Sequence, residues 1–235
     1  MRDIARSAAL LLAGVVLACS GPGAPAPNPT TVLRQAAQAM GGLHSVAADV
    51  KFGPGIQLEG LTLSSATTKV QLPGESDTVL KVKQGDFLVD VRIVTSNGHI
   101  FLRLPFSQFT EVSAEEARAV PDLSQLFDPK TGLPSVLPAG TDPKDLGTEQ
   151  IGGVDTDKVS ATYPAGVVGQ MLGGAVQPAG DIVATIWVAT SDHLVRRVIL
   201  TGPFLEKGKD VRVQIDLRDF NKPVTVTTPT PSAKP

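Results

Sequence analysis

The feature that most constrains the fold is a series of short runs rich in β-branched residues, extending from Ser45 to about Glu111 and separated by Gly, Pro and Asn. Such runs, with no helix-period segment among them, predict strands joined by tight turns. The sequence Ser96-Asn97-Gly98 indicates a hairpin, because Asn-Gly favours the two-residue turns of antiparallel strands. We therefore expect an antiparallel meander, with strands at 46–52, 56–64, 66–72, 78–84, 87–94 and 99–104.

A second group of strands is expected at 154–163, 181–189, 193–201 and 210–220. The last of these alternates, with Val211, Val213, Ile215 and Leu217 on one face and polar residues on the other, which predicts one covered and one solvated face. Roughly nine or ten strands in one antiparallel sheet, with a few short helices grouped on one side, define an α+β fold.

Helices are predicted in three places. Val32, Leu33, Ala36, Ala37 and Met40 recur at helical spacing after Thr30 or Thr31, either of which can cap a helix that ends at Gly41-Gly42. The segment 113–150 begins like a capped helix and is then broken by five prolines, so short helices and loops are expected there. A third helix is predicted at 165–172.

The start of the chain is typical of a bacterial lipoprotein signal. Arg2 and Arg6 precede an apolar run over 8–17, and this run leads into the sequence Val16-Leu17-Ala18-Cys19. The run is too short for the roughly 20 residues that span a bilayer. We expect a signal peptide at 1–18 and lipid attachment at Cys19; the alternative is a plain secretory signal with an incidental cysteine. Cys19 is the only cysteine, so an intramolecular disulfide is excluded.

Both ends of the remaining chain are low in complexity. Residues 19–29 are rich in Pro, Gly and Ala and predict a tether, whereas 225–235 form a Thr/Pro tail that we expect to be disordered. A single domain is therefore predicted at 30–224. Loss of Arg2, Arg6 and Asp3 with the signal leaves 19 basic and 22 acidic residues, a net charge of −3. This balance gives no support for nucleic-acid binding.

No catalytic motif is present. His44, His99 and His193 are far apart and lack metal-ligand spacing, and the chain has neither a G-x-S-x-G nor an H-E-x-x-H motif. We therefore predict a protein that is not an enzyme and has no metal or cofactor. A hydrolase triad assembled from distant residues remains the alternative.

Several motifs together resemble the LppX/LprA/LprF/LprG lipoproteins of mycobacteria. They are Gly42-Leu43-His44-Ser45-Val46, Leu104-Pro105-Phe106, 127–133, 149–159, Ala184-Thr185-Ile186-Trp187-Val188, 192–196 and 221–226. The resemblance covers essentially the whole predicted domain, although the turn at 202–208 departs from it. It implies a strongly bent antiparallel sheet, or half-barrel, with helices on the concave side enclosing an apolar cavity.

The resemblance also implies a function, namely non-enzymatic binding and transport of acylated lipids or glycolipids across the cell envelope. The protein would be a monomer on the outer face of the plasma membrane, with a membrane lipid exporter as a candidate partner. The alternative is an envelope scaffold or sensor whose interior is filled. Phe101, Phe106, Phe109 and Phe127 either rim an entrance or simply pack. The candidate cavity-lining residues, each equally explained as core, are Met40, Val89, Val91, Ile93, Leu102, Leu104, Leu126, Leu133, Leu137, Val167 and Leu172.

Overall fold

The computed structural model describes residues 27–58, 61–113, 115–120, 123–172 and 176–231. The predicted signal peptide 1–18, the predicted lipid-attachment residue Cys19 and the tether as far as residue 26 lie outside this range.

Twelve strands among the described residues form one sheet in which every pair is antiparallel. Their order is β7-β6-β5-β4-β3-β1-β12-β11-β10-β9-β8, with β2 paired to β3 beside this path. The first and last strands thus pair at the centre and join the two meanders. The strands are β1 (Ser45–Phe52), β2 (Gln57–Leu58), β3 (Leu61–Gln71), β4 (Glu75–Gln84), β5 (Phe87–Ser96), β6 (His99–Arg103), β7 (Thr110–Glu111), β8 (Thr141–Ile151), β9 (Val154–Tyr163), β10 (Ile182–Ala189), β11 (Val195–Glu206) and β12 (Lys209–Arg218).

Three α-helices lie among the described residues: α1 (Pro29–Gly41), α2 (Leu133–Val136) and α3 (Ala165–Met171). The cap of α1 differs from the prediction. Asn28, not Thr30 or Thr31, caps the helix, its side chain accepting hydrogen bonds from both threonine amides at 3.0 and 3.3 Å. Helix α1 and its cap therefore begin within the segment 19–29 that was predicted to be a tether. Short 3-10 turns cover Glu116–Ala119, Leu123–Phe127 and Leu137–Ala139.

The structure corrects three strand predictions. Residues 61–71 form one continuous β3 where two strands were expected, and β11 runs on through Gly202 to Glu206, where a long turn was expected. The segment predicted to contain only helices and loops also includes β8. This strand escaped detection because it lies at the sheet edge, carries almost no apolar alternation and contains Pro143, a residue that edge strands tolerate.

The core lies between the sheet and the helical layer on one of its faces. Val32, Leu33, Ala36 and Met40 of α1 are buried against this interior, and Leu137 joins the same cluster. The alternation predicted for the last strand is confirmed, because Val213 and Leu217 belong to the core. An open antiparallel sheet with few helices is thus the observed architecture, and the predicted α+β fold is confirmed.

Two of the motifs that carried the resemblance meet in space. The backbone amide of His44 donates to the side-chain oxygen of Asn221 at 2.8 Å. The backbone amide of Asn221 donates in turn to the carbonyl of Ser45 at 2.9 Å. The hydroxyl of Ser45 donates to the carbonyl of Lys222 at 2.5 Å. These bonds fasten the segment after β12 to the start of β1. Further on, Thr228 lies 2.8 Å from the hydroxyl of Ser96, so part of the segment predicted to be disordered contacts the sheet.

The other face of the sheet carries many polar and charged side chains that pair across neighbouring strands. Trp187 on β10 donates its indole N–H to Glu149 at 3.0 Å, and Lys158 lies 5.0 Å from the centre of its ring. This hydrogen bond is the largest influence that lowers the pKa of Glu149. Arg197 on β11 pairs with Asp216 on β12 at 2.5 Å. Such cross-strand pairs hold neighbouring strands in register on this face of the sheet.

A candidate ligand-binding groove

A groove opens between the inner face of the sheet and the helical layer. Its floor comes from alternate residues of neighbouring strands: Phe52 of β1 pairs with Val213 of β12, which pairs in turn with Leu200 of β11. Because alternate residues of a strand point to one face, these side chains form a continuous surface. The lining residues are Val50, Phe52, Ile56, Gln57, Leu63, Leu80, Leu123, Leu126, Met171, Leu172, Val176, Leu200, Phe204, Leu205, Val213 and Ile215.

The groove is apolar almost throughout. Among its lining residues only Gln57 is polar, and none is titratable. The groove encloses about 130 Å³, compared with roughly 300–1,000 Å³ for pockets that hold drug-sized ligands. Apart from Gln57, the described lining residues offer no polar side chain to fix a headgroup or to act on a substrate, so the surface is suited to contact with hydrocarbon.

A smaller cavity of about 20 Å³ continues the groove beneath α2 and α3. Met171 and Leu200 line both spaces, and the small cavity is also lined by Leu133 and Leu137. The side chains of Met171 and Leu200 thus border both spaces. Met171 is unbranched and adaptable, so its rotation alters the shape of both.

Tyr163, the only tyrosine in the chain, lines this second cavity and bonds to the segment that follows α2. Its hydroxyl donates to the carbonyl of Leu137 at 3.1 Å. Gly140 lies against the same ring, where a Cβ would come within 2.9 Å of the hydroxyl oxygen. Burial raises the pKa of the Tyr163 phenol far above its usual range. Tyr163 therefore connects β9 with the turn that follows α2.

We expect the phenol of Tyr163 to remain un-ionised in the folded protein well above pH 10. The unfolded chain ionises near the ordinary pKa of about 10, so stability is fully present below that pH and is lost as the pH rises further. The absorbance of phenolate, followed as the pH is raised above 10, measures the ionisation of Tyr163 directly, because no other tyrosine contributes. Absorbance that rises around pH 10 while circular dichroism stays native would contradict the assignment. Tyr163→Phe should lessen the alkaline loss of stability.

The predicted lining residues separate into two groups, those on the cavities and those away from them. Leu126 and Leu172 line the main groove, and Leu133 and Leu137 line the smaller cavity. The other seven line neither. Met40, Val91 and Ile93 are buried in the core, while Val89, Leu102 and Val167 are partly buried and pack against it. Leu104 is exposed and lies with Val89 in a separate, polar hollow outside the groove.

The four candidate phenylalanines also differ. Phe127 and Phe101 are buried, and Phe109 lies beside Arg103, whose guanidinium is 5.2 Å from its ring centre. Phe106 is fully exposed. Packing is therefore the observed role for Phe101 and Phe127, and only Phe106 projects into solvent.

Most of the groove floor was not among the predicted residues. Val213 and Ile215 stood out in the alternation of the last strand, and Val50 and Phe52 alternate in the same way in the first. The pairing of β1 with β12 brings these two sets together. That pairing joins residues more than 150 positions apart, so local periodicity identifies each face but not the neighbour against which it lies.

The described residues offer no group of three or more His, Cys, Asp or Glu side chains placed to hold a metal ion. His99 bonds to Glu111 at 2.6 Å, and both are exposed. Among the helices of the described segments, none has the length and apolarity needed to cross a membrane.

The sequence profile of the LppX_LprAFG lipoproteins matches residues 28–226, and the chain belongs to this family. It is 28% identical over 239 residues to the lipoarabinomannan carrier protein LprG of Mycobacterium tuberculosis, covering 97% of this chain and 95% of the relative.

Two solved structures share the fold. LprF from Mycobacterium bovis superposes with a TM-score of 0.68 at 24% identity, covering 88% of this chain and 99% of LprF. LppX from Mycobacterium tuberculosis gives a TM-score of 0.60 at 26% identity, covering 84% of this chain and 97% of LppX. The family predicted from the short motifs is thus confirmed.

Proposed function

We propose that the protein binds the acyl chains of a lipid or glycolipid in the groove and carries them within the cell envelope without catalysis. The observation that carries this proposal is the groove itself, whose lining is apolar except for Gln57. A relative over nearly the whole length is named a lipoarabinomannan carrier, which favours an acylated glycolipid as the cargo.

Burial of hydrocarbon supplies the binding energy. Each methylene removed from water contributes about 0.8 kcal/mol, so a chain segment of a few methylenes is held without any polar contact. The same chemistry makes binding tolerant of the headgroup, which has no charged partner within the groove.

Loading requires the groove to widen, because its present volume is below that of typical ligand pockets. The sheet side is held by continuous backbone ladders through β1, β12 and β11. The helical side of the groove, which we call the cover, is held differently. It consists of Leu123 and Leu126 from one 3-10 turn, Met171 from the short helix α3, and Leu172, which follows that helix. The cover is therefore the part expected to move outward as an acyl chain enters.

The proposal is tested by moving lipid between vesicles. Purified protein freed of lipid is mixed with donor vesicles that contain an acylated phosphatidylinositol mannoside and with acceptor vesicles that lack it. Transfer that rises in proportion to protein concentration supports a carrier. Transfer no faster than in protein-free controls, together with no uptake of acyl lipid, would instead favour a scaffold or sensor.

Anchoring through Cys19 is a separate part of the proposal. Two or three acyl chains give stable attachment, whereas one chain is marginal. Cys19→Ala should release the protein from the membrane fraction with its fold intact, as judged by circular dichroism, while Ser20→Ala should leave it attached. Retention of the Cys19→Ala protein in membranes would contradict the assignment.

A further inference from the structure

The exposed apolar side chains are concentrated at one end of the sheet. Among the described residues, eight large apolar side chains are exposed, and seven of them lie at the end where β1 finishes. The eighth is Leu146 on β8. Of the seven, Val183 lies apart on β10, and the other six are Leu61, Phe87, Leu88, Leu104, Phe106 and Leu205.

The strand register places these six side chains together. Thr62 of β3 pairs with Lys83 of β4, so Leu61 is level with the β4–β5 turn that carries Phe87 and Leu88. Arg103 pairs with Arg92, which sets the following residues, Leu104 to Phe106, beside the start of β5. We call these exposed side chains the apolar tips.

The β11–β12 hairpin reaches the same end on the other side of β1. Phe52 at the end of β1 pairs with Val213, and β12 begins four residues earlier, at Lys209. Leu205 precedes this hairpin turn and is 48% exposed, yet it also lines the groove. The groove therefore reaches the surface among the tips.

The inner face of the sheet continues from the groove to the tips. Leu63 lines the groove, and Leu61 lies two positions before it on the same face of β3. Phe87 occupies the same face of β5 as the buried Val91 and Ile93, but at the strand end it is 76% exposed. An apolar surface thus runs outward from the groove to side chains that are partly or largely exposed to solvent.

The charges nearby suit a membrane surface. Lys83 and Lys207 lie in the two hairpins, and neither forms an ion pair with another described residue. Asp90 and Glu206 are paired with Lys81 and Lys209, at 2.8 and 2.7 Å, so Asp86 and Asp210 are the acidic residues that oppose these two lysines and Arg103, which lies beside Leu104 and Phe106. Apolar side chains flanked by lysine bind lipid interfaces through burial and through attraction to anionic headgroups.

We propose that the apolar tips insert into the surface of an anionic bilayer, so that the groove opens directly onto the lipid from which its cargo is drawn. A bilayer is the favoured occupant because the side chains project from separate hairpins instead of forming one flat patch, and because the groove that Leu205 lines and Leu61 adjoins is apolar. This inference rests on the proposed function only in the identity of the cargo.

The test uses the chain from Ser20 onward, which lacks the predicted lipid anchor. It should fold, because every residue of the core cluster lies between Val32 and Leu217. Sedimentation with phosphatidylcholine vesicles, with and without phosphatidylglycerol, measures binding. Phe87→Ser should weaken binding roughly ten-fold, the effect expected from one lost apolar side chain. Leu146→Ser, which removes an exposed apolar side chain from β8, should leave it unchanged.

The proposal is overturned if the wild-type chain does not bind these vesicles, if Phe87→Ser binds as well as wild type, or if Leu146→Ser weakens binding equally. Uptake of a fluorescent fatty acid without vesicles distinguishes docking from cargo binding. Phe87 does not line the groove, so Phe87→Ser should retain this uptake. If the wild-type chain binds vesicles through the tips but takes up no fatty acid, the docking inference stands and the carrier function fails.

Discussion

An Ile215→Trp protein is expected to bind acyl lipid about ten-fold more weakly than the wild type. Ile215 lies on β12 and its partly buried side chain lines the groove. An indole placed there occupies space that the cargo would use. Displacing as few as two methylenes costs about 1.6 kcal/mol, which corresponds to slightly more than a ten-fold loss of affinity. Titration with a fluorescent fatty acid measures the change.

The matched control is Arg212→Trp, which introduces the same side chain into the same strand. Arg212 is exposed and does not line the groove. This variant should bind as the wild type does, and both variants should keep native circular dichroism. Equal binding by Ile215→Trp and the wild type would show that acyl chains do not occupy the groove.

The second large effect is on stability. Phe127→Ala should lower the free energy of unfolding by about 3–5 kcal/mol, the usual cost of removing a buried phenylalanine ring. Phe127 is 1% exposed and ends the 3-10 turn that supplies Leu123 and Leu126 to the groove cover. Urea unfolding followed by tryptophan fluorescence measures the change, with the single Trp187 as the probe.

Phe106→Ala provides the control with the same residue types. Phe106 is fully exposed, so the change should alter the free energy of unfolding by no more than about 0.5 kcal/mol. If the two variants were equally stable, Phe127 would not hold the cover in place, and the account of the groove wall would be wrong.

The sequence predicted those parts of the fold that local periodicity specifies. The alternation of Val211, Val213, Ile215 and Leu217 identified both the strand and its covered face, and Asn97-Gly98 identified the turn between β5 and β6. β8 was missed because an exposed edge strand needs no apolar face. The capping of α1 by Asn28 was missed because the surrounding prolines indicated a tether.

The candidate site was predictable only in part, and for a physical reason. Leu126, Leu172, Leu133 and Leu137 were found because apolar residues within a Pro-rich segment or a short helix must cover an interior. Val91 has the same apolar character but is buried in packed core. Whether an inward-facing residue meets space or another side chain depends on how far the helical layer extends over the sheet, and strand periodicity carries no information about that distance.

The most direct test of the account is native mass spectrometry on the protein without residues 1–19, purified from an actinobacterial host, with extraction and identification of any bound lipid. We expect an acylated lipid or glycolipid bound at close to one molecule per protein, with lower occupancy in the Ile215→Trp variant but not in Arg212→Trp. A protein that is purified empty and takes up no added acyl lipid would contradict the central claim that the groove is a binding site for acyl chains.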